Sequence, residues 1–219
     1  MTPDEVAVSE GKTCQFTGQY YESIEEAVEK ANNHGGGTIT LLADTMVSKN
    51  GKVPDMCFNS GFAIRSKKGG PALRIYRGEL DNREMLQITD GILRLFDVIL
   101  DGSCETGASR AAIRISDLGK AEMKNVAILD NRSDNAGNAE NQGATAICCV
   151  GEKTALKLDD SCVIRGCAGT GTAISAIVAS GGAITNGGCR FEGNTAENGE
   201  NPNYTDLTGT TVLEGTPIE

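Results

Sequence analysis

Short runs of alternating apolar and polar residues recur along most of the chain, and each ends in a turn signal such as Asp-Gly or Asp-Asn. Runs that begin at Val98, Val126, Cys162 and Cys189 align at steps of 28, 36 and 27 residues. Successive side chains of a strand point to opposite faces, so the first and third residues of each run are predicted to point inward together. Two further sets of runs align in the same way: Leu86, Ile113 and Ile147, and Leu93 and Ala121.

A second repeat joins residues 145–150 to residues 172–177 at a step of 27. A period in the twenties, with short strands and Gly-rich corners but no helix, is typical of stacked coils that hide their apolar side only by lying on one another. We therefore predict an all-β fold, a right-handed parallel β-helix (solenoid) with three strands per turn. Counting from residue 38 at the shortest step gives about six coils.

One amphipathic helix precedes the strands. Ser23 and Glu26 have the spacing of a capping box, and the apolar stripe that follows predicts a helix that covers the first coil. The predicted organisation is an N-terminal segment with a capping helix (1–37), the coils (38–199), and a C-terminal tail or the start of a further coil (200–219). The stripe consists of Ile24, Ala27, Val28 and Ala31.

Composition and charge narrow the classes of function. The chain of 219 residues has a net charge of −10, which argues against nucleic acid and other acidic partners. It has no Trp and only four Tyr, which argues against a sugar-binding groove with aromatic platforms. No apolar run is long enough for a membrane-spanning helix, and residues 1–5 lack the features of a signal peptide. We expect an extracellular or cell-surface protein whose signal peptide has been removed.

The eight cysteines are predicted to be buried and not to bind a metal. The sequence has no Cys-x-x-Cys pair and a single histidine, His34, which argues against a zinc site. Cys162 and Cys189 should occupy equivalent inward positions, as stacked free thiols or as a bonded pair if geometry and redox compartment permit. Cys148 and Cys149 should point in opposite directions, one inward and one outward.

Four residues are candidates for catalysis in an outward groove. Asp159 and Asp160 resemble the adjacent aspartates of polygalacturonases, but neighbours on a strand point to opposite faces and the histidine motif of that family is missing. A turn-forming or solvated role is the favoured interpretation of the pair. Arg165 and Arg190 are both expected to point outward on successive coils, where an arginine usually serves only as a solvated side chain. The residue pattern favours no catalytic role for these four.

A polar segment, residues 130–143, lies between the runs at Val126 and Cys162 and explains why their step is the longest. It is predicted to be a loop that forms a recognition surface. Its oxygen donors are of the kind that calcium prefers, but their spacing differs from that of a dedicated calcium loop. We expect no cofactor, with calcium as the one ion to consider. The candidate binding residues are Asp130, Asp134, Asn138 and Glu140.

Two features resemble known families. The helix followed by strands, residues 21–41, looks like the start of pectate-lyase-like parallel β-helix domains. Residues 181–184 (Gly-Gly-Ala-Ile) and 191–194 (Phe-Glu-Gly-Asn) are similar to the paired motifs of polymorphic outer-membrane adhesins and related bacterial surface proteins. The resemblance implies an exported surface protein.

Three functions follow as expectations. The first is a non-catalytic surface or secreted module for adhesion or as a stalk, binding a host or environmental glycan or a protein. The second is a polysaccharide lyase or glycoside hydrolase acting in an outward groove. The third is a structural fragment that associates end to end with further chain.

Overall fold

A computed structural model describes residues 1–47, 57–58, 60–78, 84–103, 110–133, 143–197 and 201–219, which form a parallel β-solenoid of about five turns. The helices are α1 (Pro3–Ser9) and α2 (Ile24–Asn33). The strands are β1 (Cys14–Phe16), β2 (Gln19–Tyr21), β3 (Gly36–Leu41), β4 (Thr45–Val47), β5 (Cys57–Phe58), β6 (Gly61–Ser66), β7 (Leu73–Arg77), β8 (Leu86–Ile88), β9 (Ile92–Asp101), β10 (Ile113–Ser116), β11 (Lys120–Leu129), β12 (Arg132–Ser133), β13 (Ala144–Val150), β14 (Ala155–Leu158), β15 (Val163–Arg165), β16 (Ala168–Gly169), β17 (Ser175–Ser180), β18 (Ala183–Asn186), β19 (Arg190–Glu192), β20 (Thr195–Ala196), β21 (Tyr204–Asp206) and β22 (Val212–Gly215).

The strands stack into three sheets that surround one apolar core. Sheet A follows the order β2-β1-β3-β6-β9-β11-β14-β18-β22, with β4, β7, β15 and β19 paired beside this path. Sheet B has the order β21-β17-β13-β10-β8-β5, and sheet C contains β12, β16 and β20. The coil strands pair in parallel, whereas β1 pairs antiparallel with both β2 and β3 at the N-terminal end.

The predicted register of sheet A is confirmed. Val98 pairs with Val126, and Ile128 pairs with Ile164, which in turn pairs with Phe191. Their inward side chains are buried in the common core, with Phe191 partly buried at its edge. The parallel β-helix is therefore the observed fold.

The solenoid has about five turns and not six because its turns are longer than the shortest repeat. The inward column Ile39, Ile64, Leu95, Met123 and Leu158 advances by 25, 31, 28 and 35 residues. The corners between the strands differ in length, and these differences account for the unequal turns. The strands themselves keep their register. The step of 27 therefore underestimates the average turn.

Both long strands of sheet A bend at one residue with positive φ, Asp97 at 56° and Asn125 at 51°. Asp and Asn adopt this left-handed conformation more readily than most residues. The Asn125 side-chain amide also donates a hydrogen bond to Asp97 Oδ1 at 2.7 Å, which links the two bends. The outward side chains of the first halves of β9 and β11 form one face on one side of the bend. Those of the second halves form another face on the other side.

The predicted capping helix is present as α2. Its N-cap is Ser23, whose hydroxyl accepts a hydrogen bond from the Glu26 amide at 3.3 Å, and the predicted apolar stripe is fully buried. The helix packs against β1 and β3. The helix α1 was not predicted, although Thr2 and Glu5 form a complete capping box there, because only Ala7 of its seven residues is buried and no apolar stripe marks it.

The predicted repeat between residues 145–150 and 172–177 is wrong by three residues. The structure pairs Ile147 with Ile177 and Cys148 with Val178, a step of 30, after an irregularity that follows Ala144. Both strands are buried along almost their whole length. A strand buried on both faces has no alternation of polar and apolar residues that fixes its register. The similarity of two short segments therefore predicted the wrong register.

The thiols are buried, as expected of small apolar side chains. Cys14, Cys148, Cys149, Cys162, Cys167 and Cys189 are free among the described residues. Cys162 and Cys189 occupy equivalent inward positions, since Val163 pairs with Arg190. Cys149 lies in the main core, but Cys148, on the opposite face of β13, is also fully buried, in a separate small cluster. The predicted opposite directions of Cys148 and Cys149 are therefore confirmed, and the outward one, Cys148, is covered as well.

Candidate functional site

The outward face of sheet A carries an unusual set of charges. Five outward side chains are cationic and two are carboxylates on the neighbouring strands of this face. These strands are β6, the first halves of β9 and β11, and β14 with the residue that follows it. This face therefore has a local excess of three positive charges in a chain whose net charge is −10. The cations are Arg65, Arg94, Lys120, Lys124 and Lys157, and the carboxylates are Glu122 and Asp159.

A groove of about 270 Å³ opens on this face, beside the bend of the strands. Its lining combines one aromatic ring, two lysines and both carboxylates. The aromatic ring can pack against the apolar face of a sugar, and the charged groups can bind its polar substituents. The lining residues are Phe96, Glu122, Met123, Lys124, Lys157 and Asp159.

Both carboxylates of the groove accept hydrogen bonds from neighbouring groups. Glu122 accepts a hydrogen bond from Arg94 Nε at 2.8 Å, in an ion pair whose two side chains are about two-fifths exposed. Asp159 Oδ1 accepts hydrogen bonds from the Ser161 hydroxyl and, at 2.7 Å, from the Ser161 amide. These bonds from Ser161, chiefly the one from its hydroxyl, hold the pKa of Asp159 below its ordinary value of 3.8.

The turn after β14 fixes the position of Asp159. The Ser161 hydroxyl accepts a hydrogen bond at 2.7 Å from the backbone amide of Asn125, the bend residue of the preceding coil. Asp160 lies exposed in the same turn and does not line the groove. Of the adjacent aspartates, the structure thus brings one to the groove.

The two arginine candidates lie on different columns of the second half of sheet A. Arg165 pairs with Glu192, whereas Arg190 pairs with Val163. Both are exposed, and Arg190 forms an ion pair with Glu192 at 3.1 Å. Neither lines the groove that contains Asp159, so the four candidates do not form one site among the described residues.

Of the four candidate binding residues, one is described. Asp130 is exposed at a corner with a φ of 52°, and its carboxylate lies against Gly166 on the next coil, where a β-carbon would come within 2.2 Å of Oδ1. Gly166 itself has a φ of 66°, a left-handed conformation that favours glycine there. The other three candidates, Asp134, Asn138 and Glu140, lie outside the described residues.

Sequence reasoning missed the residues that form the groove. Phe96, Lys124 and Lys157 were not singled out, although the register that was correctly predicted for sheet A already places Phe96 next to Lys124. The outward residues at matching positions of the aligned strands could have been compared, because residues at matching positions are neighbours in the sheet. The net charge of the whole chain concealed this local excess of cations.

The outward face of sheet B, in contrast, is closed. Its outward column runs through Gln87, Arg114, Cys148, Val178 and Thr205. Cys148 and Val178 are fully buried with Ala111 and Ala144 in the second apolar cluster. Burial raises the pKa of the Cys148 thiol to about 12, so this thiol is protonated at neutral pH.

A buried polar network lies beside this second cluster. The Asn131 side-chain oxygen accepts hydrogen bonds from Arg77 Nε at 3.1 Å and from a terminal nitrogen of Arg77 at 2.9 Å. The Asn131 amide donates to the backbone carbonyls of Arg110 and Thr145. Arg77 is 3% exposed and Asn131 is completely buried, so the network ties coils together and offers no surface to a ligand.

Two further kinds of site are absent from the part of the chain that the structure describes. The described residues contain no group of three or more His, Cys, Asp or Glu side chains that could hold a metal ion. Within the same residues, no helix is long and apolar enough to cross a membrane.

Comparison with protein-family models, with curated proteins and with solved structures found no match to this chain. The solenoid fold is shown by the structure, and the resemblance of two short motifs to those of adhesins stays a prediction. Both motifs have structural roles in the coils. Gly182 has a φ of 81° and faces Thr154, and Asn194 accepts a hydrogen bond from the Cys167 amide and donates one to the Ile164 carbonyl, both at 3.0 Å.

Proposed function

We propose that the chain is a non-catalytic binding module that holds an acidic glycan on the outward face of sheet A. The observation that carries this proposal is the local excess of cations around the groove that contains Phe96. Lysine ammonium groups attract carboxylates or sulfates, and an aromatic ring packs against the apolar face of a sugar. The sequence alone argued against acidic partners because it reports only the average charge.

Binding is favoured over hydrolysis by the state of the two carboxylates. A glycoside hydrolase needs one protonated carboxylic acid to assist the leaving group. Glu122 is paired with Arg94, and hydrogen bonds from Ser161 stabilise the anionic form of Asp159. The lowered pKa of Asp159 does not suit a proton donor at neutral pH, and Glu122 is engaged by Arg94.

The second candidate is a polysaccharide lyase or glycoside hydrolase that uses the same groove. It is supported by the position of Asp159, a candidate from the sequence, beside Lys124 and Lys157. A lysine serves as a base when burial lowers its pKa, but both of these lysines are exposed. The enzyme is therefore the less well supported candidate.

We propose an extracellular or surface location on the same basis. The motifs around Gly182 and Asn194 are similar to those of bacterial surface adhesins, and acidic glycans are common ligands outside cells. Both motifs serve the coil structure, so they support a shared architecture more strongly than a shared ligand.

The test is binding of acidic and neutral polysaccharides, measured by calorimetry and affinity electrophoresis. We expect polyuronates to bind and dextran not to bind. Lys124→Gln/Lys157→Gln should weaken polyuronate binding by about tenfold, since an exposed lysine contributes on the order of 1 kcal/mol to a contact with a carboxylate. The matched control is Lys30→Gln/Lys68→Gln, which changes the net charge equally on exposed residues elsewhere.

Three outcomes would contradict the proposal. Equal weakening by both double variants would show that binding follows net charge and not this groove. Binding of dextran as tight as that of the polyuronates would show that the cations do not determine binding. Release of unsaturated products or new reducing ends would establish the enzyme instead.

A further inference from the structure

A second groove lies on the same face of sheet A, at the opposite end of the strands. It has a volume of about 590 Å³ and forms at the corner where the chain enters β9, β11 and β14. Leu118 is 48% exposed there, which is unusual for a leucine with a groove beside it. The lining residues are Asp90, Gly91, Ile92, Leu118, Lys120 and Lys153.

The two grooves are connected by the strands themselves. β11 leads from Lys120 in the corner groove to Lys124 in the groove beside the bend. Four residues of an extended strand span about 13 Å. Between these ends the outward face carries the Arg94–Glu122 ion pair. Each groove thus contributes two lysines, Lys120 and Lys153 at one end and Lys124 and Lys157 at the other.

The direction along the solenoid axis is less suitable for a polyanion. One column of paired residues there runs Arg94, Glu122, Lys157, Thr185 and Glu214, so a ligand would meet a cation, then a carboxylate, then a cation again. Along the strand direction each end has two lysines against one carboxylate, Asp90 or Asp159, and the carboxylate in the middle is already paired with Arg94. Charge complementarity therefore favours a ligand that lies across the axis.

We propose that the two grooves are subsites of one trough, and that an acidic oligosaccharide lies in it parallel to the strands and across the solenoid axis. This inference rests on the proposed function and adds the orientation and minimum length of the ligand. Ile92 and Leu118 at one end and Phe96 at the other supply apolar surface for the sugar faces. Asp90 accepts a hydrogen bond from the Gly91 amide at 2.7 Å, which holds this carboxylate against the backbone of the corner.

A length requirement follows from this geometry. An acidic disaccharide is too short to reach both lysine pairs, whereas a trisaccharide or longer oligomer reaches them. Affinity should therefore rise steeply between the dimer and the tetramer and then level off. A ligand lying along the axis would instead gain affinity gradually, one coil at a time.

The experiment is calorimetric titration of the full chain with uronic-acid oligomers from dimer to hexamer. It compares wild type with Lys120→Gln/Lys153→Gln, Lys124→Gln/Lys157→Gln and the control Lys30→Gln/Lys68→Gln. We expect the tetramer to bind at least tenfold more tightly than the dimer, and the Lys120/Lys153 variant to remove that gain. All six lysines are exposed, so the variants should keep the wild-type melting temperature.

The possible failures are distinct. Tetramer binding that depends on Lys124 and Lys157 but not on Lys120 and Lys153 would overturn the trough and leave the proposed function standing. A gradual rise in affinity up to the hexamer would show that the ligand lies along the axis. Failure of every acidic oligomer to bind the wild-type protein would overturn the proposed function, and the trough with it.

Discussion

The outward faces of sheet A and sheet B belong to the same coils, but the chain uses them in opposite ways. On sheet A, outward positions such as Arg94 and Lys124 are in contact with solvent, and polar and apolar residues alternate. On sheet B, the outward residues Cys148 and Val178 are as buried as the inward ones. The pleat of a strand therefore fixes the direction of a side chain, and what lies over the sheet decides whether it is exposed.

The largest test of this difference is a charge placed on the outward face of each sheet. Val178→Asp should destabilise the fold by about 3–5 kcal/mol or prevent folding, because its carboxylate would be buried without a partner. The matched variant Thr185→Asp, on the outward face of β18, should change stability by less than about 0.5 kcal/mol. Urea unfolding followed by circular dichroism gives both values, and similar losses would mean that sheet A is also covered.

The next test removes the polar network beside sheet B. Asn131→Ala should cost about 2–3 kcal/mol, since Arg77 loses an acceptor and two buried carbonyl groups lose a donor. Asn125→Ala at the exposed bend of sheet A should cost about 1 kcal/mol, because alanine adopts a positive φ less readily than asparagine. A smaller loss at Asn131 than at Asn125 in urea unfolding would contradict the buried network.

A smaller effect concerns the carboxylate of the groove. Ser161→Ala removes the hydroxyl that donates to Asp159, so the pKa of Asp159 should rise toward 3.8. Because the folded-state pKa is depressed, this interaction stabilises the fold above the unfolded pKa and is lost as the pH falls through the folded value. The part of the stability difference that comes from Asp159 should therefore vanish in strong acid, and the part that comes from the lost hydrogen bond of the Asn125 backbone amide should remain. Carboxyl chemical shifts in an NMR titration measure the pKa, and an unchanged value would remove Ser161 as the cause.

The smallest expected effect is that of the exposed ion pair on sheet A. A double-mutant cycle of Arg94→Ala and Glu122→Ala should give a coupling energy below about 0.5 kcal/mol, because water and salt screen two side chains that are about two-fifths exposed. The cycle uses the same urea measurement. A coupling above about 2 kcal/mol would indicate that this face is desolvated in solution.

The same difference explains what could be predicted from the sequence. Where alternation was present, as in the runs at Val98 and Val126, the register followed directly and the structure confirms it. On β13 and β17 alternation is missing, and similar letters around Ile147 and Ile174 gave a register that was wrong by three residues. The fold was therefore predictable from sheet A alone.

The candidate site was less predictable, because it depends on which outward residues become neighbours. Phe96, Lys124 and Asp159 are spread over more than sixty residues of sequence, and the turn at Ser161 is what brings Asp159 to the groove. Arg165 and Arg190 looked equivalent in their coils but lie on different columns. A difference of two residues within the repeat was enough to separate them.

The uneven distribution of charge makes one face of an acidic molecule locally cationic. The whole chain carries −10 and the seven charged residues named on β6, β9, β11 and β14 carry +3, so the remaining residues together carry −13. In the field of a negatively charged surface, such a molecule experiences a torque that turns sheet A toward that surface before contact. Immobilised polyanions should therefore capture the protein in a single orientation at low ionic strength, despite its overall negative charge.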